Sequence, residues 1–143
     1  MEVAAIILRR ETGELFVHQR ASDRRMFPDL YGLGAGGKVN KGETPAEAAK
    51  RELTEETGIV ADPIPLFSFD FSSELASYRM HIFEVITDQE VVIDAREWQS
   101  GSWMNTDGVD ALDEWQKLCP DTSIFYKRYR DEYYSTENAC VNQ

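Results

Sequence analysis

The strongest constraint on this chain is a helix whose two ends are written into the residues. At Thr44-Pro45-Ala46-Glu47 a capping hydroxyl precedes a proline at the first helical position, and a glutamate stands three residues after the cap. The threonine satisfies a free N–H of the first turn, the proline has none to leave unsatisfied, and the glutamate reaches back to the cap. Gly58 supplies the stop, because glycine adopts the left-handed backbone that ends helices at little steric cost. Strand-like runs bracket this helix. Val3 to Leu8 and Leu15 to Arg20 flank the turn-forming Glu11-Thr12-Gly13-Glu14, and further runs follow at Ile64 to Phe71, Tyr78 to Ile86, Val91 to Asp94 and Gly101 to Met104. Between the second strand and the helix lie a charged loop, Ala21 to Asp29, and the segment Tyr31 to Gly37, whose four glycines let backbone approach backbone or ligand closely. Two helical patterns, near Asp107 to Leu118 and Thr122 to Tyr134, close the chain. This order predicts one domain over residues 1–143, an α+β or α/β fold built as an α/β/α sandwich around a mixed central sheet.

Glutamates at helical spacing usually form a solvated face, and that reading suits Glu47 and Glu55, with Arg51 beside them. At about 100° per residue, Ala46, Ala49 and Leu53 make a narrow apolar stripe from which these three point largely away. Glu52 and Glu56 instead project roughly 60° to 100° from the stripe, at the edge of the core, with Glu55 next around the helix. Like charges at i and i+4 repel, and more strongly where solvent is partly excluded. A hard divalent cation offsets such repulsion, since Mg²⁺ takes oxygen ligands and bridges carboxylates to phosphate oxygens. Spacing alone leaves the solvated face and the metal site both open.

Charge narrows the partners. The formal net charge of −11 opposes binding to nucleic acid or to an anionic membrane, which need a surplus of lysine and arginine, but permits a small phosphorylated substrate neutralised by cations. Cys119 and Cys140 are too few for a disulfide framework and form no CxxC pair, which points to a reducing compartment. The apolar run near the N-terminus follows the acidic Glu2 and lacks a cleavage-site pattern, and nowhere do about 18 consecutive apolar residues occur. A cytoplasmic location is expected.

The stretch Gly37-x5-Glu43-x7-Arg51-Glu52-Leu53-x-Glu55-Glu56-x-Gly58-Ile59 resembles the Nudix box at every specified position. Nine specified positions at fixed spacing make this a specific signal. The resemblance implies a Nudix fold and a metal-dependent pyrophosphohydrolase, with Glu52, Glu55 and Glu56 as ligands of Mg²⁺ or Mn²⁺ and the Gly36 carbonyl completing the site. It implies that Arg51 orients carboxylates and that Gly37, Glu43 and Gly58 hold the loop and helix in shape. Glu55 and Glu56 also enter the catalytic set, and Glu97, in Glu97-Trp98-x4-Trp103, resembles the place where many relatives carry a further glutamate that binds metal or serves as base. The implied reaction is attack of a metal-activated water on a diphosphate phosphorus. Many relatives form dimers, so a homodimer fits the resemblance.

Outside the box, Arg20 at a strand end and Lys38 beside the glycines are candidates for holding phosphate, whereas Arg24 and Arg25 read as a solvated loop. His18 and His81 could each serve as metal ligand or base, but lone histidines in strands read more readily as structural; the aromatics Phe67, Phe69, Phe71, Tyr78 and Phe83 could stack on a base or ring, but period-2 spacing explains most of them as core. Pro120-Asp121-Thr122 reads as a helix start without an evident binding role. Two other functions compete. The segment before the box also resembles isopentenyl diphosphate isomerases, but Leu33-Gly34-Ala35-Gly36-Gly37 lacks their cysteine, and two histidines cannot supply their metal cluster. A non-catalytic nucleotide sensor usually has an eroded box, and this box is intact. The substrate beyond its diphosphate is not legible in the sequence.

Overall fold

A computed structural model describes residues 1–134; Cys140 lies outside them. Their seven strands form one mixed sheet: β1 (Glu2–Arg9), β2 (Leu15–Arg20), β3 (Tyr31–Leu33), β4 (Ala35–Lys38), β5 (Ile64–Ser72), β6 (Ser77–Ile86) and β7 (Trp98–Met104). β1 is central. It runs parallel to β6 along its whole length, pairs antiparallel with β4 from Val3 opposite Lys38 to Ile6 opposite Ala35, and meets β2 at Arg9. β2 carries β3 and β7, and β5 forms the edge beyond β6. The helices are α1 (Pro45–Thr57), α2 (Thr106–Glu114) and α3 (Pro120–Glu132).

The pleat of β1 divides the core. Ala4, Ile6 and Leu8 are buried with Ala48, Ala49, Leu53 and Ile59 of the α1 segment. Ala5 and Ile7 are buried with Val109 of α2 and with Phe125, Tyr126 and Tyr129 of α3. A strand covered on both faces needs a continuous apolar run, which is what Val3 to Leu8 provides. The result is the expected α/β/α sandwich with a mixed sheet.

The capping signals of α1 act as the sequence predicts. Thr44 Oγ1 accepts from Glu47 N at 3.1 Å, Thr44 N donates to Glu47 Oε1 at 2.9 Å, and Gly58 closes the helix at φ 77°. The buried line runs through Ala48, Ala49, Leu53 and Thr57, while Ala46 in the first turn is exposed.

Other segments differ from expectation. Val91 to Asp94 is not a strand: Val92 N donates to Thr57 O at 3.0 Å, Val91 and Ile93 pack onto the α1-side core, and Asp94 caps a turn by accepting from Arg96 N. An apolar alternation was therefore satisfied from a loop. The glycine segment breaks into β3 and β4 at Gly34, whose φ of 59° and approach to the Ile6 carbonyl oxygen leave no room for a Cβ. α2 stops at Glu114, short of Leu118, because Gln116 turns left-handed at φ 57° and Lys117 N bonds back to Leu112 O. No helix among the described residues is long and apolar enough to cross a membrane.

Candidate active site

α1 lies across β4 and β1, so its second and third turns face the two glycines of β4. A Cβ on Gly37 would collide with the Glu52 carboxylate, and Gly36 N donates to Glu56 Oε1 at 2.9 Å. Gly37 thus leaves the space that the Glu52 carboxylate occupies, and Gly36 lies too close to the Ala4 carbonyl of β1 to carry a side chain. Glu52 is 16% exposed in its side chain, Glu56 is half-buried, and the two share a hydrogen bond. Burial pushes Glu56 up to about 9, assisted by the nearby charges of Glu52 and Glu97 and opposed by the Gly36 N–H. Burial also raises Glu52, against the pull of the Arg51 guanidinium. Two half-buried acids held face to face without a full counter-charge must share a proton or take a cation.

Arg51 organises the surroundings. Its Nε and Nη2 grip both oxygens of Glu43 at 2.8 and 3.0 Å, Nη2 also reaches the Lys38 carbonyl, and Nη1 bonds Glu52 at 2.8 Å and Glu55 at 3.2 Å. This fork holds the Glu43 carboxyl down at about 2. Glu43 in turn accepts from Asn40 N, so loop, strand and helix are tied through one guanidinium. Glu55 points outward with 59% of its side chain exposed.

The Glu52 and Glu56 carboxylates open into a cavity of about 460 Å³. Glu97, Gly36, Gly37 and Lys38 stand on the same side, and Met26, Phe27, Tyr78, Met80, Asp121 and Phe125 form a mainly apolar wall elsewhere. His18 is also on the lining. Its Nδ1 lies 2.7 Å from Gly34 O, its ring stacks on Trp98 at 4.2 Å and 6°, and burial lowers it to about 3. It is thus a neutral imidazole, with the Nδ1–H donated to the carbonyl. His81 bonds Ser68 and Glu2 on the sheet surface and does not line the cavity. Arg20 lines the cavity too, with Nε donating to Met26 O at 2.8 Å. Of the aromatic lining, sequence reasoning singled out Tyr78 and missed Phe27 and Phe125. Tyr78 donates to Asp121 Oδ2 at 2.7 Å across 43 positions of chain, and the only local sign of Asp121 was the Pro-Asp-Thr helix start.

The donor set suits a hard cation: two carboxylates, a third at Glu97, and strand backbone at Gly36. Among the described residues no three metal-binding side chains close on one point by themselves. An ion here would complete its shell with substrate oxygens and water, as Mg²⁺ commonly does.

A helix-flanked mixed sheet thus turns two half-buried helical glutamates toward a cavity of ligand size. The NUDIX domain model matches residues 1–120, and the chain belongs to the Nudix family of pyrophosphohydrolases. An 8-oxo-dGTP diphosphatase of Haemophilus influenzae is 36% identical over 114 residues, 78% of this chain and 80% of the relative. Another 8-oxo-dGTP diphosphatase, of Escherichia coli K12, is 34% identical over 119 residues, 79% and 86% of the two chains. A MutT protein of Methanosarcina mazei Go1 superposes with a TM-score of 0.81 over 94% of this chain and 96% of its own at 24% identity, a likeness of fold. Hydrolases of this family generally need a divalent metal.

Proposed function

We propose that this chain, as a single domain over residues 1–143, hydrolyses a diphosphate linkage in a nucleoside-diphosphate-type small molecule with Mg²⁺ or Mn²⁺. The observation that carries the reading is the Glu52 and Glu56 pair, two half-buried carboxylates beside each other on the lining of a cavity that Phe27, Tyr78 and Phe125 also line. Such a site offers a cation to phosphates and an apolar surface to a base or ring. Glu52 and Glu56 would hold the ion, with Glu55 and the Gly36 carbonyl as further donors. The bound ion supplies an activated water and neutralises charge on the leaving phosphate. Arg51 keeps Glu52 oriented through Glu43, Gly37 leaves the space Glu52 occupies, and Gly58 ends the helix that carries both ligands. Glu97, on the cavity wall and close enough to raise Glu56, would accept a proton from the attacking water. Arg20 and Lys38 line the same cavity and would hold phosphate oxygens. We place the enzyme in the cytoplasm; a homodimer is tested by sedimentation.

The deciding experiment is a screen with Mg²⁺ and with Mn²⁺ of nucleoside triphosphates, nucleotide sugars, dinucleotides, coenzyme A, flavin dinucleotide and prenyl diphosphates, with products identified by mass. Nucleoside triphosphates, 8-oxo-dGTP included, come first because two relatives carry that activity in their names. Cleavage at a phosphoanhydride is the expected result. Absence of cleavage across the whole panel with either ion, or dimethylallyl diphosphate formed from isopentenyl diphosphate, would overturn the reading.

A further inference from the structure

The loop 21–30 between β2 and β3 is built with more care than a solvated connection needs. Ala21 N donates to Glu97 O, Arg20 N to Leu30 O, and Leu30 N to Phe27 O. Asp29 Oδ1 accepts from Ser22 Oγ at 2.6 Å and from Gln99 Nε2, and Gln19 Nε2 bonds the Asp29 carbonyl. Phe27 and Asp29 hold left-handed backbones at φ 51° and 65°, two of the three such non-glycine residues among the described ones. Strain of this kind persists only where surrounding contacts enforce it, and it gathers at functional segments.

The braced loop presents arginines. A hollow lined by Arg20, Asp23, Arg24, Arg25, Met26 and Arg96 adjoins the catalytic cavity and shares Arg20, Arg24 and Met26 with it. Arg96 is already gripped by Asp94 through Nε and Nη2. The Arg24 and Arg25 side chains have no hydrogen bond or ion pair among the described residues, and Arg20 uses only Nε, on the Met26 carbonyl. The register shift between Gln19 and Arg20 in the pairing with β7 lies where Arg20 meets this loop. In a chain with 26 acidic and 15 basic residues, carboxylates are abundant, yet beside the Asp94-bound Arg96 three further guanidiniums gather on one hollow whose lining holds a single carboxylate, Asp23. Planar guanidinium donors without a protein partner match phosphate oxygens.

We propose that this hollow is a second anion site, which takes a phosphate group of the substrate separate from the diphosphate being cut. The proposal rests on the diphosphate hydrolase reading and deepens it: the substrate class is a nucleotide that carries an additional phosphate on the arm reaching past Arg20. The glutamate end of the cavity repels anions until a cation is bound, whereas the arginine end attracts them at all times, so the extra phosphate also sets the direction in which the substrate enters.

Two arms test this. The first compares matched substrates with the same diphosphate but one phosphate more or less: coenzyme A against dephospho-coenzyme A, and NADPH against NADH, for the parent, Arg24→Ser/Arg25→Ser and Arg20→Ala. The parent should favour the phosphorylated member by about tenfold or more in kcat/KM, the scale of one charge-assisted contact. Arg24→Ser/Arg25→Ser should abolish the preference, and Arg20→Ala should lower kcat/KM for both members. The second arm needs no turnover. Inorganic tripolyphosphate is titrated calorimetrically into the protein in chelator, where the glutamates cannot assist. Binding by the parent that weakens with salt and is lost in Arg24→Ser/Arg25→Ser supports the site even if no substrate is cut, an outcome that would sink the hydrolase reading alone. Equal titrations of parent and double variant, or an equal preference within the matched pairs, would overturn the proposal.

Discussion

On the α3 side of the sheet, carboxylates are met by phenols: Tyr129 donates to Glu84, Tyr126 to Asp110 at 2.5 Å, and Tyr78 to Asp121 at 2.7 Å. On the α1 side, Glu52 and Glu56 meet each other. Burial, together with the carboxylate beside each phenol, pushes all three tyrosine hydroxyls upward, so these donors stay protonated. An acid with a permanent neutral donor is satisfied whatever the solution contains. Glu56 has one backbone N–H and a like-charged neighbour, so its state depends on protons and cations. The same functional group is thus satisfied by a phenol on one face and would act as a receptor on the other, and the partner makes the difference.

The sharpest way to break this contrast is Glu56→Gln. Metal affinity and turnover should fall together, by about two orders of magnitude or more if the ion generates the nucleophile, while the metal-free protein stays as stable as the parent or gains slightly. Calorimetric titration with Mg²⁺ or Mn²⁺, beside thermal melts in chelator, measures both. Lost stability with unchanged metal binding would make Glu56 a structural residue. Tyr129→Phe should do the reverse. Removing the donor of a partly buried carboxylate costs about 1–3 kcal/mol in denaturant unfolding and leaves metal affinity alone.

A smaller effect follows from pH. The folded value of Glu56 lies above its ordinary 4.5, at about 9. Its protonated form therefore stabilises the metal-free fold fully below pH 4.5, and that contribution is lost as pH rises toward 9. Melts in chelator across that window should show the parent losing more stability than Glu56→Gln, and saturating Mg²⁺ should flatten the decline, since metal selects the ionised form. Parallel slopes in chelator would count against the buried, proton-holding pair. The smallest change is expected for Glu47→Gln, whose amide oxygen can still accept from Thr44 N; metal affinity, turnover and stability should stay within about 0.5 kcal/mol of the parent.

How much of this was legible in the chain depends on how local the signal was. α1 could be drawn end to end because its cap, proline, glutamate and glycine lie within one helix, and the flank shared by Glu52 and Glu56 follows from helical geometry. Val91 to Asp94 misled because alternating burial reads the same in a strand and in a loop pressed against a core. The burial of Ala48 and exposure of Ala46 were set by where the helix rests on the sheet, which residue spacing does not encode. Tyr78 and Asp121 come from different elements, so neither announces the cavity alone. The same is true of the arginine hollow: Arg24 and Arg25 read as solvated in isolation, and only the loop's bracing against Glu97, Gln19 and Gln99 brings them beside Arg20.

The parallel pairing of β1 with β6 has a consequence for how the molecule reaches its native state. Ala4 and His81 are neighbours in the sheet, yet β2 through β5 and the whole of α1 lie between them in the chain. Contacts of such long sequence separation must overcome loop-closure entropy before they reward it, which slows the search. The hairpins and the capped helix can flicker into being early, but the cavity wall is complete only when Tyr78 of β6 and Phe125 of α3 join Phe27. During synthesis the helix that carries Glu52 and Glu56 therefore emerges before Tyr78, Glu97 and Phe125, and the cavity they share is closed only by the second half of the chain.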